Sequence, residues 1–253
     1  MDPVLIIRHS PTEGPGYFST FLDRHAIPWQ LARIDEGDAV PVDLNGISGV
    51  CLMGGPMSVN DELPWIPAVL GLIQRAVAAD MPVIGHCLGG QLMAKALGGT
   101  VGPALIKEIG WGDVRITDGA AAHPWLGEAS STLPAFHWHG ETFSVPPGAI
   151  RILESAWCAN QAYVLNDRHI GMQCHVEMTP ELITSWCESG IDEIRASQGP
   201  GVQSAETIQA DMVNRTTQLH RVADKIYSRW IQGLSHQTLA SREEKVGQPH
   251  RAA

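Results

Sequence analysis

The chain has 253 residues, and its 27 acidic against 17 basic side chains leave a formal net charge of −10. This length is enough for one large domain with a sizeable core. The acidic balance argues against a general nucleic-acid binder, because neutralising phosphates needs clustered Lys and Arg. No apolar run approaches the roughly 20 residues of a membrane helix, and residues 1–8 do not have the pattern of a signal peptide. The composition therefore predicts a soluble, cytoplasmic protein with no nucleic-acid or membrane partner.

The cysteines exclude a disulfide scaffold. There are five of them and no Cys-x-x-Cys pair, so a thiolate zinc site is not expected either. In a reducing compartment the default role of each is that of a small buried apolar side chain. The five positions are Cys51, Cys87, Cys158, Cys174 and Cys187.

In chain order, apolar runs typical of strands buried on both faces alternate with helical patterns through the first hundred residues. Strands are predicted at residues 3–8, 29–34, 49–53 and 82–86, and helices at residues 16–25, 64–79 and 88–97. This alternation is typical of an α/β fold with a parallel sheet.

The middle of the chain has a different pattern, with short strands and no long helix between them. These strands are predicted at residues 109–117, 135–139, 152–156, 162–166 and 170–175. They indicate antiparallel ribbons or an extension of the main sheet. A helix capped by Thr179 follows, then a Gly-Pro-Gly break at 199–201, a long helix near 204–233 and a polar tail after Ser235.

The most informative segment is Val-Ile-Gly-His-Cys-Leu-Gly-Gly-Gln at residues 83–91, which places Cys87 between a buried strand and a helix. Gly85 and Gly89 flank the cysteine at −2 and +2, the spacing of a nucleophile elbow. Such a sharp turn holds the nucleophile in strained geometry, and side chains at the flanking positions would collide with nearby backbone. The N-terminus of the following helix favours a thiolate. The alternative interpretation is a buried cysteine in a tight turn.

A histidine and a carboxylate stand two residues apart in Gln-Cys-His-Val-Glu at 173–177. In extended chain they share a face, so Glu177 can accept a hydrogen bond from His175. His175 would then serve as the base for Cys87, and Glu177 would orient it. The alternative is an ordinary polar residue at a strand end.

A glycine turn at residues 54–57, Gly-Gly-Pro-Met, follows the third predicted strand and offers exposed backbone N–H groups. Together with the N–H of Leu88, such a turn can form an oxyanion hole. By itself it is only a glycine turn.

With these three motifs in order, the chain resembles the class I (triad-type) glutamine amidotransferases, and among them the stand-alone members that look like the glutaminase domain of GMP synthase. The resemblance covers residues 1–195, and residues 196–253 are predicted to be a helical C-terminal extension packed on the same domain. It implies a flavodoxin-like open, mostly parallel sheet flanked by helices, with an added antiparallel ribbon. It also implies thiolate attack on the γ-carboxamide of glutamine, a γ-glutamyl thioester, ammonia release and hydrolysis.

The resemblance assigns site residues by position. Cys87, His175 and Glu177 correspond to the catalytic triad, and the backbone N–H groups of Gly55 and Leu88 to the oxyanion hole. The residues assigned to substrate binding are Gln91, Trp138, His139, Gly140 and Glu141. For Glu141 a solvated turn residue is the equally good alternative.

His137 and His139 share a strand face and could ligate zinc, but no candidate third ligand (His123, His169 or Asp167) has supporting spacing. The sequence therefore predicts neither a metal site nor a cofactor.

Three functions stay open. The chain has no phosphate loop of an ATP pyrophosphatase, no Walker A sequence and no Gly-x-Gly-x-x-Gly, so it cannot activate an acceptor with ATP by itself. One function is a stand-alone hydrolase of glutamine or of a γ-glutamyl amide or peptide. Another is the ammonia-donating subunit of a two-chain synthetase, and the third is a non-enzymatic regulatory domain, which would not need an activated thiolate. A homo-oligomer is compatible with each.

Overall fold

The computed structural model describes residues 1–127 and 131–234, and the polar tail predicted after Ser235 lies outside them. Within these ranges the strands form one nine-stranded open sheet in the order β2-β1-β3-β4-β9-β8-β7-β5-β6. The strands are β1 (Val4–Arg8), β2 (Trp29–Arg33), β3 (Gly49–Leu52), β4 (Val83–His86), β5 (Val101–Ile116), β6 (Thr132–Phe143), β7 (Ile150–Ser155), β8 (Ala162–Leu165) and β9 (His169–Met172).

Helices flank this sheet. They are α1 (Gly16–Arg24), α2 (Ile66–Ala78), α3 (Leu88–Ala96), α4 (Gly119–Leu126), α5 (Pro180–Ser189), α6 (Ile191–Ala196), α7 (Ala205–Gln209) and α8 (Met212–Ile231), with a 3₁₀ turn at Ile34–Glu36. No described helix is long and apolar enough to cross a membrane.

The sheet has a parallel half and an antiparallel half that meet at β9. Strands β2, β1, β3, β4 and β9 pair in parallel, whereas β9, β8, β7, β5 and β6 pair antiparallel. The predicted α/β fold with an open sheet and an antiparallel addition is confirmed. Strands β3 and β4 are buried along their whole length, as expected for strands covered by helices on both faces.

The antiparallel half is larger than the sequence predicts. Strands β5 and β6 form a long hairpin, whereas only residues 109–117 and 135–139 were predicted to be extended. Helix α4, between them, was not predicted, because its eight residues include a glycine and a proline. The side chain of Asp118 caps it by accepting the N–H of Ala121.

The long helix predicted near 204–233 is in fact two helices. Ser204 caps α7, and the backbone then leaves the helical region at Ala210 (φ −67°, ψ 133°) and enters the left-handed region at Asp211 (φ 52°) before α8 begins. The buried face of α8 packs on α1, with the rings of Trp230 and Phe18 5.6 Å apart. One cluster of buried hydrophobic residues includes residues of α1, of the sheet and of α8. The boundary at 195 stays a prediction.

Candidate active site

Cys87 lies at the turn between β4 and α3, at the carboxyl end of the parallel strands, where α/β folds place their ligands. Its backbone is strained, with φ 48° and ψ −106°. A Cβ on Gly85 would lie 2.5 Å from the backbone of Gly89, and one on Gly89 would lie 2.2 Å from the carbonyl oxygen of Leu52. The two glycines are therefore required by close backbone approach, and the cysteine is presented at the edge of the sheet.

His175 is held in place by backbone pairing beyond the end of β9. Its N–H donates to the carbonyl of Phe136 (2.8 Å), and its own carbonyl accepts the N–H of Phe136 (3.2 Å). This bridge ties the segment after β9 to β6. It brings His175 to the pocket that Cys87 also borders.

The imidazole of His175 is paired with the carboxylate of Glu177. His175 Nδ1 lies 2.6 Å from Glu177 Oε1, and Glu177 Oε2 accepts the N–H of Val176 at 2.9 Å. Because the carboxylate can only accept, Nδ1 carries the proton. The other ring nitrogen, Nε2, is buried and has no hydrogen-bond partner among the described residues. It is the nitrogen left for proton transfer.

Electrostatics favour a charged pair. Burial lowers the pKa of His175, but the negative charges of Glu177 and Cys87 outweigh it and raise that pKa well above its usual value. Burial raises the pKa of Glu177, yet the charge of His175 and the hydrogen bonds lower it to about 2. The imidazolium form of His175 is thus stabilised beside the sulfur, as thiolate chemistry requires.

Gln173 also reaches the sulfur, and the sequence reasoning missed it. Its Nε2 donates to Cys87 Sγ at 3.4 Å, while its Oε1 accepts from Gln91 Nε2 at 3.1 Å. Gln91, assigned to substrate binding, borders the same pocket and uses part of its amide to orient Gln173. The sequence spacing could have predicted Gln173 as a site residue, because it stands two residues before His175 in extended chain and so shares its face.

The two residues assigned to the oxyanion hole lie next to each other. A Cβ on Gly55 would be 2.6 Å from Leu88 Cδ2, and Leu88 is the first residue of α3. The turn after β3 and the N-terminus of α3 thus meet beside Cys87. That their N–H groups bind an oxyanion stays a prediction.

A pocket of about 680 Å³ opens over Cys87 and His175. The predicted residues Trp138, His139, Gly140 and Glu141 all border it. Glu141 Oε1 accepts from Ser58 Oγ at 3.0 Å. Four positions predicted from one motif therefore form one wall of the pocket.

This wall is supported from behind by Glu108. The Oε2 atom of Glu108 lies 3.1 Å from His139 Nε2 and accepts from Gln161 Nε2 (2.7 Å) and Ser155 Oγ (3.0 Å). His139 Nδ1 donates to the carbonyl of Glu141 at 3.0 Å. Burial raises the pKa of Glu108, but the nearby histidines and Ser155 bring it below its usual value. The network fixes the position of His139.

Glu108 also completes a group that could hold a small cation. The donor atoms of Glu108, His137 and His139 lie within 4.8 Å of one another, whereas the third ligands considered from the sequence are not in this group. Glu108 Oε2 already accepts from two donors and pairs with His139. This oxygen is therefore satisfied by protein groups alone.

Glu13, in the segment after β1, is a second residue that sequence reasoning missed. It borders the pocket together with Cys87 and His175. Burial raises its pKa to about 7, an effect that His175 opposes and Glu177 reinforces. Its position after the carboxyl end of a parallel strand was a weak signal for a site residue.

The fold is that of the glutamine amidotransferases of class I, whose family model matches residues 24–212. The chain belongs to this family. Among solved structures, it is similar to a glutamine amidotransferase of Methylobacillus flagellatus, with 45% identity, a TM-score of 0.91, and coverage of 99% of this chain and 100% of that one. A glutamine amidotransferase of Thermotoga maritima matches with 26% identity and a TM-score of 0.81, covering 91% and 98%.

Curated relatives include two kinds of protein. The glutamine amidotransferase-like protein YfeJ of Salmonella typhimurium is 29% identical over 201 residues, which is 78% of this chain and 84% of that protein. The glutamine-hydrolyzing GMP synthase of Thermomicrobium roseum is 30% identical over 131 residues, or 51% of this chain and 23% of the enzyme. The match to this GMP synthase thus spans about a quarter of its length.

Proposed function

We propose that this chain hydrolyses the γ-carboxamide of glutamine, or of a γ-glutamyl amide or peptide, through a cysteine thioester. The single observation that carries the proposal is the strained Cys87 at the start of α3, with His175 and its partner Glu177 behind it. Family membership supports glutaminase-type chemistry in general. The stand-alone relative YfeJ supports a function without a fused synthetase.

In the first half-reaction the Cys87 thiolate attacks the γ-carbonyl carbon. The resulting oxyanion accepts hydrogen bonds from the N–H groups of Gly55 and Leu88. His175 Nε2 donates its proton to the leaving nitrogen as the C–N bond breaks. Ammonia or an amine departs, and a γ-glutamyl thioester stays on the sulfur.

In the second half-reaction His175 Nε2, now neutral, takes a proton from water. The hydroxide attacks the thioester carbon and the C–S bond breaks, which forms a γ-carboxylic acid and the thiolate. The acid then releases its own proton to solvent. The proton stays on His175 and restores the starting ion pair. Glu177 keeps the ring in one orientation through both steps.

The test is labelling and turnover. A glutamine-like diazo-ketone should modify Cys87, and Cys87→Ala should keep its fold but lose all release of ammonia or amine from glutamine, γ-glutamyl dipeptides and γ-glutamyl amines. Cys51→Ala and Cys174→Ala are matched controls, because both thiols are fully buried away from solvent. Labelling at Cys51 or Cys174 in place of Cys87 would contradict the proposal.

A second candidate function is that of an ammonia-donating subunit whose synthetase is a separate chain. The GMP synthase relatives favour it, because the matches to two of them span only 23% and 24% of those enzymes. Recovery of an ATP-dependent synthetase in a pull-down, with turnover only in the complex, would support it. A regulatory domain without activity is disfavoured by the intact set of Cys87, His175 and Glu177.

A further inference from the structure

We propose that the preferred substrate is a γ-glutamyl amide whose leaving amine carries a second, positively charged nitrogen, and that Glu13 binds this charge. The inference rests on the proposed function and adds to it the chemistry of the leaving group. Diamines joined through one nitrogen to the γ-carboxyl are the simplest members of this class.

The position of Glu13 relative to His175 is the first argument. A Cβ built on Gly54 would lie 1.9 Å from Glu13 Oε2 and 3.4 Å from His175 Cε1. The carboxylate is therefore next to the ring carbon between Nδ1 and Nε2. Since Nδ1 is hydrogen-bonded to Glu177, the leaving nitrogen must be protonated by Nε2. Nε2 is bonded to that same ring carbon, so a leaving group at Nε2 lies close to the carboxylate of Glu13.

The charge of the pocket is the second argument. Among the described residues, its lining contains one lysine, Lys107, and this is paired with Glu193 at 2.7 Å. Three carboxylates remain, those of Glu13, Asp61 and Glu141. A substrate held by this lining meets an excess of negative charge, which favours a cation over a neutral group.

Two of these carboxylates, those of Asp61 and Glu141, share one partner, Ser58. Ser58 donates its backbone N–H to Asp61 Oδ2 (2.9 Å) and its hydroxyl to Glu141 Oε1 (3.0 Å). This pair fits the α-ammonium group of the glutamyl moiety. The carboxylate of Glu13 makes no hydrogen bond to any described residue. It is the carboxylate left for a ligand beside His175.

The size of the pocket is the third argument. Its volume is about 680 Å³. Glutamine has ten non-hydrogen atoms and needs roughly 200–300 Å³ if each takes somewhat less space than a water molecule. More than half of the pocket is then free for a group attached to the amide nitrogen.

The experiment compares three γ-glutamyl amides of equal chain length, which carry n-butyl, 4-aminobutyl and 3-carboxypropyl groups on the nitrogen. We expect kcat/KM for the aminobutyl amide to exceed that for the butyl amide by about tenfold, a typical worth of one charged contact. The carboxypropyl amide should be the poorest. In Glu13→Gln the ratio of aminobutyl to butyl should fall toward one.

A matched control is Glu62→Gln, which removes the same charge from an exposed position that does not border the pocket. It should keep the wild-type ratio.

In the wild type, the ratio of kcat/KM for the aminobutyl amide to that for the butyl amide should also rise with pH, from about one unit below 7 to about one unit above it. The reason is that burial raises the pKa of Glu13 to about 7, and only the ionised carboxylate attracts the cation. His175, Glu177, Asp61, Glu141, Lys107 and Glu193 are the other charged groups that face this space. This pH dependence is measured on the wild-type protein, so the proposal can be tested even if Glu13→Gln does not fold.

The outcomes separate the two proposals. Equal kcat/KM for the three amides, or an equal loss for all three in Glu13→Gln, would overturn the cationic leaving group and assign Glu13 to the glutamyl moiety. If Cys87 is labelled by the diazo-ketone while the charge preference is absent, only this inference fails. If no amide is hydrolysed and Cys87 is not labelled, the proposed function fails and the inference fails with it.

Discussion

Gln173 donates its side-chain amide to the sulfur of Cys87, with Nε2 3.4 Å from Sγ. Its carbonyl oxygen accepts from Gln91, so presenting oxygen to the sulfur would require Gln91 to turn its amide as well. This orientation stabilises a negative sulfur, because a donor is fixed where the charge forms. The elbow thus has a neutral donor in addition to the imidazole.

Replacing Gln173 by leucine should weaken this support. We expect Gln173→Leu to slow alkylation of Cys87 by iodoacetamide at neutral pH by about tenfold, since a hydrogen bond to a charged group is worth roughly 1.5 kcal/mol or more. The rate is measured by mass spectrometry of the labelled peptide. Gln218→Leu, at an exposed position on α8, is the control and should react like the wild type. An unchanged rate in Gln173→Leu would mean that the contact does not stabilise the thiolate.

Replacing Glu177 by glutamine should lower the pKa of His175. The carboxylate charge is a main cause of its elevation, so the ring of the variant should lose its proton at a lower pH. NMR of the ring protons over a pH series reports this directly. Turnover should fall, but less than in Cys87→Ala, because an orienting group is partly dispensable. Equal losses in the two variants would indicate that Glu177 takes a more direct part in the reaction.

Mild acid should destabilise the protein through its buried neutral histidines. Burial lowers the pKa of His9 and of His169 to about 4. Unfolded histidine takes a proton near pH 6.5, so the unfolded state binds more protons as the pH falls from about 6.5 to about 4. The stability that these neutral rings contribute is complete above that window and is lost through it, by at most about 1.4 kcal/mol per pH unit for each ring.

Urea unfolding at a series of pH values measures this loss. His169→Gln should have a shallower dependence of unfolding free energy on pH than the wild type. The raised pKa of Glu13 acts in the opposite direction, since its contribution is lost as the pH rises toward 7. In Glu13→Gln the unfolding free energy should therefore depend more steeply on pH than it does in the wild type. The same slope in His169→Gln and wild type would show that His169 does not cause the acid sensitivity.

Adding a methyl group at Gly89 should damage the elbow. The new Cβ would lie 2.2 Å from the carbonyl oxygen of Leu52, so β3 and α3 would have to separate. We expect Gly89→Ala to lower the free energy of unfolding by about 2 kcal/mol or more, measured by urea denaturation. Gly119→Ala is the control, because nothing lies within 4 Å of the added atom. Similar stability of the two variants would contradict this view of the turn.

Local patterns were enough to predict four of the five strands of the parallel half and to single out Cys87, His175 and Glu177 as a candidate triad. Buried strands appear as apolar runs, and the turn at Cys87 needs glycines within two residues on either side, so both leave a mark in short stretches of sequence. The segments that were predicted poorly depend on distant contacts. Helix α4 is short and interrupted by Pro124, and the break between α7 and α8 has no proline or glycine to mark it.

The sequence by itself determined the alternation of strands and helices, the strained elbow and the pairing of His175 with Glu177, because each of these involves neighbours along the chain. Only the tertiary structure decided which polar side chains from distant segments lie around the site. Glu108 reaches His139 across a strand pair, and Glu13 meets Gly54 and His175 because three separate segments end at the same edge of the sheet. Such contacts follow from the packing of the whole sheet, and no local spacing encodes them.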